Sequence, residues 1–137
     1  MLIYAFREGL TDHARYAAWL RAAVEADEPI GVADLVLSGF LRVATNPRVV
    51  DPPAPIERAL EFASVLRSQP NVVRVTPGDR HWRIFDGLCR SSGARGNLVA
   101  DAYLAALAIE AGAEWITTDR DFSRFAGLRW RHPLATA

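Results

Sequence analysis

The chain has 137 residues, half of them apolar and spread along its whole length, which fits one domain around a single core and argues against disorder. Formal net charge is zero, so any nucleic-acid binding must come from a local patch and not from bulk basic charge. No run approaches the roughly 20 apolar residues of a membrane span, and "MLIYAFREG" lacks the basic region and cleavage site of a signal peptide. Cys89 is the only cysteine, which excludes an internal disulfide and makes a reducing cytoplasm the expected setting. Every basic side chain except the histidines is Arg, a planar fork suited to phosphate or carboxylate.

In chain order, "LTDHARYAAWLRAAVEA" has helical apolar spacing at Tyr16, Trp19, Leu20, Ala23 and Val24, with Thr11 or Asp12 as the cap. "PIGVA" is a short strand candidate. Asp34 is placed to cap a helix through "LVLSGFLRVAT", stopped by Asn46-Pro47. "DPPAP" is a turn, with Pro55 opening the helix "IERALEFASVLRSQ". "NVVRVTP" alternates and predicts a strand, and "GDRHWRIFDGLCRSSG" predicts a helix ending at Gly93. "NLVADAYLAALAIEAG" predicts another, capped by Asn97 and ended by Gly112. "EWITT" is a strand, and "LRWRHP" is a candidate edge strand. Strands alternating with helices imply a parallel sheet with helices on both faces, an α/β fold. Ligands of such sheets collect outside the carboxyl ends of the strands, and Asp119 stands at such an end.

The acids after that strand carry the chemistry. In the helix from Leu98 to Ala111, Asp101 shares a face with Leu104, Ala105 and Ala108, all apolar. An unpaired buried carboxylate is costly, so Asp101 needs the helix dipole, an Arg or a metal. The Gly112 turn brings the following strand's end back beside the start of the helix, so Asp101 and Asp119 should face each other across a small gap. Two close carboxylates repel unless one is protonated or a cation sits between them. Hard oxygen ligands suit Mg²⁺ or Mn²⁺, and such an ion activates water and stabilises charge on a phosphoryl oxygen. Asp121 is either a further ligand or the N-cap of "FSRF", with the cap favoured. Thr118 could hydrogen-bond a ligand.

The stretch "GNLVADAYLAALAIEAGAEWITTDRDFSRFAGLRW" resembles the C-terminal half of PIN-domain ribonucleases of the VapC toxin type. "HARYAAWL" and "FLRVATNPRV" resemble the same subgroup, so the likeness covers nearly the whole chain as a single PIN-like domain, residues 1–137. The resemblance implies a three-layer α/β/α fold with a parallel central sheet, and Mg²⁺-dependent cleavage of RNA phosphodiester bonds. It implies Asp101, Asp119 and Asp121 as catalytic acids, the first two holding the metal. It implies a cognate antitoxin as partner, transfer or ribosomal RNA as substrate, and a homodimer or a hetero-oligomer with the antitoxin. The family opens with a central strand ending in D-x-N before a segment like "LIYAF". Here Leu2 to Phe6 match that segment, and the first-strand acid is expected to be encoded just upstream of Met1. Many relatives carry Glu where this chain has Gly39, and Asp34, five residues earlier in the sequence, is not counted as its replacement. With fewer acids, the alternative is a PIN-fold remnant that binds antitoxin or RNA without cutting it.

A strand followed by Asp119-x-Asp121-x-Ser123 also resembles the nucleophile motif of haloacid-dehalogenase-type phosphatases, but those need a later Lys, and this chain has none. His13, His81 and His132 lack ligand spacing and are expected at the surface or in packing, while Cys89 and the four tryptophans are expected in packing. Arg80, Arg83, Arg90 and Arg95 are candidates for phosphate contact, against a solvated helix face. "RWRH", Arg129 to His132, could stack or clamp RNA, although a charged edge strand explains it more simply.

Overall fold

The aromatic and alanine-rich stripes of the sequence sort into two packed clusters, each inside its own stretch of chain. The computed structural model describes residues 1–135 and divides them between two compact units, Met1–Val75 and a second that begins at Thr76.

The first unit carries α1 (Leu2–Phe6), α2 (His13–Glu25), β1 (Ile30–Val32), α3 (Asp34–Ala44), α4 (Ile56–Arg67) and β2 (Val72–Arg74). β1 and β2 pair in parallel, Ile30 against Val72 and Val32 against Arg74. Leu2, Leu37, Phe40, Ala44, Ala59 and Leu66 form the buried centre. Phe6, Phe40 and Phe62 meet there with ring centroids 5.1 to 5.3 Å apart, a spacing at which edge-to-face and tilted contacts are favourable. The Asn71 amide donates to the carbonyls of Ala23, Ala26 and Glu28, which ties the end of α2 to the start of β2.

Asp34 does not cap α3. Ala33 occupies the cap position in extended backbone, and the Asp34 carboxylate is drawn outward to Arg67 (3.0 Å) and Arg74 (3.2 Å). Pro55 stands one place earlier than expected, at the cap of α4.

The second unit carries α5 (His81–Ser92), α6 (Asn97–Ala111), β3 (Trp115–Ile116), a 3₁₀ turn (Arg120–Arg124) and β4 (Trp130–Arg131). α6 is apolar nearly all round, so Ala102, Ala105 and Ala106 are sealed against Leu88, Phe122 and Phe125. Gly112 ends it with φ of 67°, a conformation that L side chains resist. β3 and β4 pair in parallel, Trp115 against Trp130. The strands are thus parallel as the alternation predicts, but they form two separate two-stranded ladders, one in each unit. "EWITT" contributes only two ladder residues, because the backbone after Ile116 turns to place Asp119.

The predicted Asn97 cap is a misplacement. Gly93 leaves α5 at φ of 63°, and Gly96 takes the cap of α6 at φ 60°, ψ −133°. That backbone is open to glycine, so Asn97 is carried into the first turn of the helix. Trp82 also departs from expectation: it is 68% exposed, edge-on to Phe85. His81 is packing, as expected, at 3% exposure with its ring nitrogen on the Tyr103 carbonyl. Among the described residues no helix is long and apolar enough to cross a membrane.

The entry to α5 is held from a distance. The Glu110 carboxylate accepts from the backbone N–H groups of Gly78 (2.7 Å) and Arg80 (2.9 Å), while Arg80 returns a bond to the Glu110 carbonyl. A Cβ at Gly78 would meet Glu110 Oε2 at 2.8 Å, so any larger residue there requires the carboxylate to shift. These bonds, the one from Gly78 first, hold the Glu110 carboxyl below its usual range. A lowered folded value means the stabilisation is complete above the unfolded carboxylate pKa and is lost as pH falls through the folded one. Glu110→Gln should therefore lower the melting temperature at pH 7 and make little difference near pH 3. Equal deficits at the two pH values would show that the charge is not what holds the turn.

Candidate active site

Three elements of the second unit bring its acids together. α6 projects Asp101 from its second turn, half-buried, on the side that also carries Ala105 and Ala108. β3 runs out at Thr117, whose buried hydroxyl accepts the Asp119 N–H at 3.1 Å. That bond turns the chain, and the Asp119 carboxylate then accepts the N–H of Asp121 at 2.9 Å. Asp119 is therefore the cap of the 3₁₀ turn, the role the sequence reading gave to Asp121. The physical reason is the Thr117 bond, which ends the strand two residues before Asp119. Asp121 lies inside the turn, exposed.

The carboxyl of Asp101 is pushed above its usual range, first by burial and then by the charges of Asp119 and Asp121. Asp119 and Asp121 thus both act on Asp101 with charge of the same sign. Asp119 is therefore near enough for its charge to act on Asp101. Asp101 and Asp121 also line an open cleft of about 370 Å³ with Arg95, Asn97, Leu98 and Arg124. Asp119 is not in that lining.

Among the described residues, no group of three or more His, Cys, Asp or Glu side chains converges closely enough to enclose a metal ion. The donor set fits a hard divalent cation that keeps most of its water, since Mg²⁺ is commonly held by one or two carboxylates, and a cation there would relieve the repulsion on Asp101. A fully dehydrated ion would not fit. In the first unit, a Cβ at Gly39 meets nothing within 4 Å.

Several candidates fall away. Arg80 is engaged with Glu110 and Arg90 with Asp86 (2.7 Å). In "RWRH", Arg131 pairs with Glu114 (2.8 Å) and Arg129 donates to the Gly112 carbonyl, which fits the edge-strand explanation. Trp130, Arg131 and His132 nevertheless line a second open cleft with Arg120 and Ser123. The sequence reading missed Arg124 and Asn97 as cleft residues. The signal available was the spacing Asp121-x-x-Arg124, which places the cation one turn from the acid.

A PIN domain model matches residues 1–128, and the chain belongs to the PIN-domain family. It is 46% identical over 134 residues to Ribonuclease VapC43 of Mycobacterium tuberculosis, covering 98% of this chain and 91% of the relative. It is 41% identical to Ribonuclease VapC33 of the same organism, covering 98% and 94%. Among solved structures, the VapBC2 complex of Rickettsia felis, bound to a DNA fragment from its promoter, contains a chain with a TM-score of 0.64. That match has 16% identity and covers 95% of this chain and 91% of the other, and it supports the fold alone. PIN-domain ribonucleases are generally dependent on a divalent metal. The family match sets aside the phosphatase alternative.

Proposed function

We propose that this chain is a Mg²⁺-dependent endoribonuclease, the toxin of a type II toxin–antitoxin pair, acting in the cytoplasm on transfer or ribosomal RNA. The observation that carries the reading is Asp101, half-buried at a cleft and under the charge of Asp119 and Asp121, in a chain 46% identical to a ribonuclease. Asp101 and Asp119 would hold the ion, with Asp121 as the third acid of the site; Mn²⁺ suits the same ligands. When bound, such an ion supplies a more acidic water and offsets charge on a phosphoryl oxygen. The chain's own part is to fix the acids. Thr117 sets where the strand stops, Asp119 orders the turn by accepting from Asp121, and the buried face of α6 denies Asp101 full solvation. Asp121, on the exposed turn, shares the cleft with Asp101.

The partner is a cognate antitoxin, in line with the VapBC complex in which one chain shares the fold. Neighbouring carboxylates with incomplete neutralisation attract a guanidinium, which pairs bidentately. The antitoxin is therefore expected to silence the site by laying an arginine against Asp101 and Asp119.

The test is incubation of the purified chain, freed of antitoxin, with total cellular RNA. Discrete cleavage with Mg²⁺ or Mn²⁺, abolished by chelator, is the expected result. RNA that is bound but left intact with either metal would instead identify the binding-only remnant, for which the glycine at position 39, where many relatives carry Glu, is the supporting observation.

A further inference from the structure

The arginines of the second unit divide into two kinds. Arg80, Arg90, Arg129 and Arg131 are spent on Glu110, Asp86, the Gly112 carbonyl and Glu114. Arg83, Arg95, Arg120 and Arg124 make no ion pair or hydrogen bond among the described residues, and of these four Arg95 and Arg124 line the cleft that contains Asp101 and Asp121. They reach it from different elements. Arg95 comes from the short turn between α5 and α6, and Arg124 from the end of the 3₁₀ turn. Both are exposed, and Asn97, displaced from the cap into the helix, adds an amide to the same wall.

Two guanidinium groups left unpaired beside carboxylates are placed for a ligand that carries negative charge to an acidic site. An RNA strand is such a ligand. Its phosphates are repelled by Asp101 and Asp121, and cationic groups at the rim offset that repulsion along the strand beyond the reach of an ion held by the acids. The planar fork of Arg matches two phosphate oxygens at once, whereas water leaves the rim charge undirected.

We propose that Arg95 and Arg124 form a phosphate clamp that positions single-stranded RNA in the acidic cleft, gripping backbone phosphates next to the bond to be cut. The proposal deepens the ribonuclease reading above and rests on it for the identity of the ligand. Arg95 and Arg124 are positioning residues in this scheme; neither touches the reacting atoms. Because the clamp reads the backbone, it adds affinity without base preference.

The test measures binding of a short fluorescent single-stranded RNA to the full chain in chelator, where no cleavage occurs, over a series of salt concentrations. Each phosphate contact to a single strand contributes about 0.7 to the slope of log affinity against log salt. Arg95→Ala combined with Arg124→Ala should therefore reduce the slope by about 1.4, and the paired Arg→Lys variant, which keeps both charges, should restore most of it. With Mg²⁺ present, the double alanine variant should lose kcat/KM mainly through a higher KM. An unchanged slope overturns the clamp, as does a wild type that binds no RNA. The ribonuclease reading fails separately. A wild type that binds RNA with the expected slope change but never cuts it keeps the clamp and removes the catalysis. A wild type that cuts while the double variant binds with the same slope does the reverse.

Discussion

Asp101→Asn should abolish RNA cleavage while leaving the protein folded and, at neutral pH, no less stable than before. Charge stabilisation by a bound metal is worth several kcal/mol in a phosphoryl-transfer transition state, and each ~1.4 kcal/mol is tenfold in rate. Removing an anionic ligand of the ion is therefore expected to reduce kcat by about 10³ or more. The stability side follows from the raised carboxyl. A carboxyl whose folded value lies above its unfolded one binds its proton more tightly when folded, so stability falls as pH rises through the folded value. Asparagine removes that penalty at pH 7 and makes no difference below pH 3, where both forms are neutral. A saturating divalent cation should raise the melting temperature of the wild type, since a ligand at 100 times its Kd adds about 2.7 kcal/mol, and should hardly affect the variant. Loss of activity with a gain in stability separates a functional acid from a structural one. A variant that cuts RNA at the wild-type rate would make Asp101 structural.

Asp101 and Asp119 could be paired from sequence because the link between them is short and its geometry is standard. A helix, a glycine at positive φ and a strand return the chain to where the helix began. The acidic field needed no knowledge of the rest of the molecule. The rim of the cleft did. Arg124 and Arg95 meet the acids only after the 3₁₀ turn and the α5–α6 turn are built, and Arg95 looks in sequence like any exposed helix-flanking cation. Asn97 was misread because Asn is a strong N-cap residue, and the preceding Gly96 won the position through a backbone conformation that Asn adopts poorly. Glu110 was invisible for a different reason. Its bonds to Gly78 and Arg80 span 32 and 30 residues, and no local pattern predicts a helix entry held by an acid from another helix. Strand identity was legible and strand length was not: the alternation in "NVVRVTP" marks β2, but the ladder closes over three residues. The ends of such short strands are fixed by turns such as the Thr117 bond, which depend on side-chain geometry and not on hydropathy.

Phe122→Ala should damage both stability and activity, because that side chain anchors the turn that carries two of the three acids. Phe122 is 4% exposed and lies between Trp115, at 5.3 Å, and Phe125, at 5.8 Å, against the buried alanines of α6. Truncating a buried Phe to Ala costs about 3–5 kcal/mol, a large share of the roughly 5–15 kcal/mol by which a domain is stable. The turn is five residues long, and its side-chain cap is the bond from Asp121 N–H to Asp119. Without the ring, Asp119 and Asp121 lose their fixed distance from Asp101, whose own backbone on α6 stays in place. A displacement of about 1 Å in a catalytic group can reduce rate by about 10², so the variant should be slow even well below its melting temperature. Phe122→Leu keeps most of the apolar volume, and it should recover part of the stability and most of the activity. Melting curves and RNA cleavage rates of the two variants at 15 °C, with and without Mg²⁺, decide the matter. A folded Phe122→Ala protein with the wild-type rate would mean that the acids are positioned without the ring, and that the Thr117 and Asp119 bonds alone set the site.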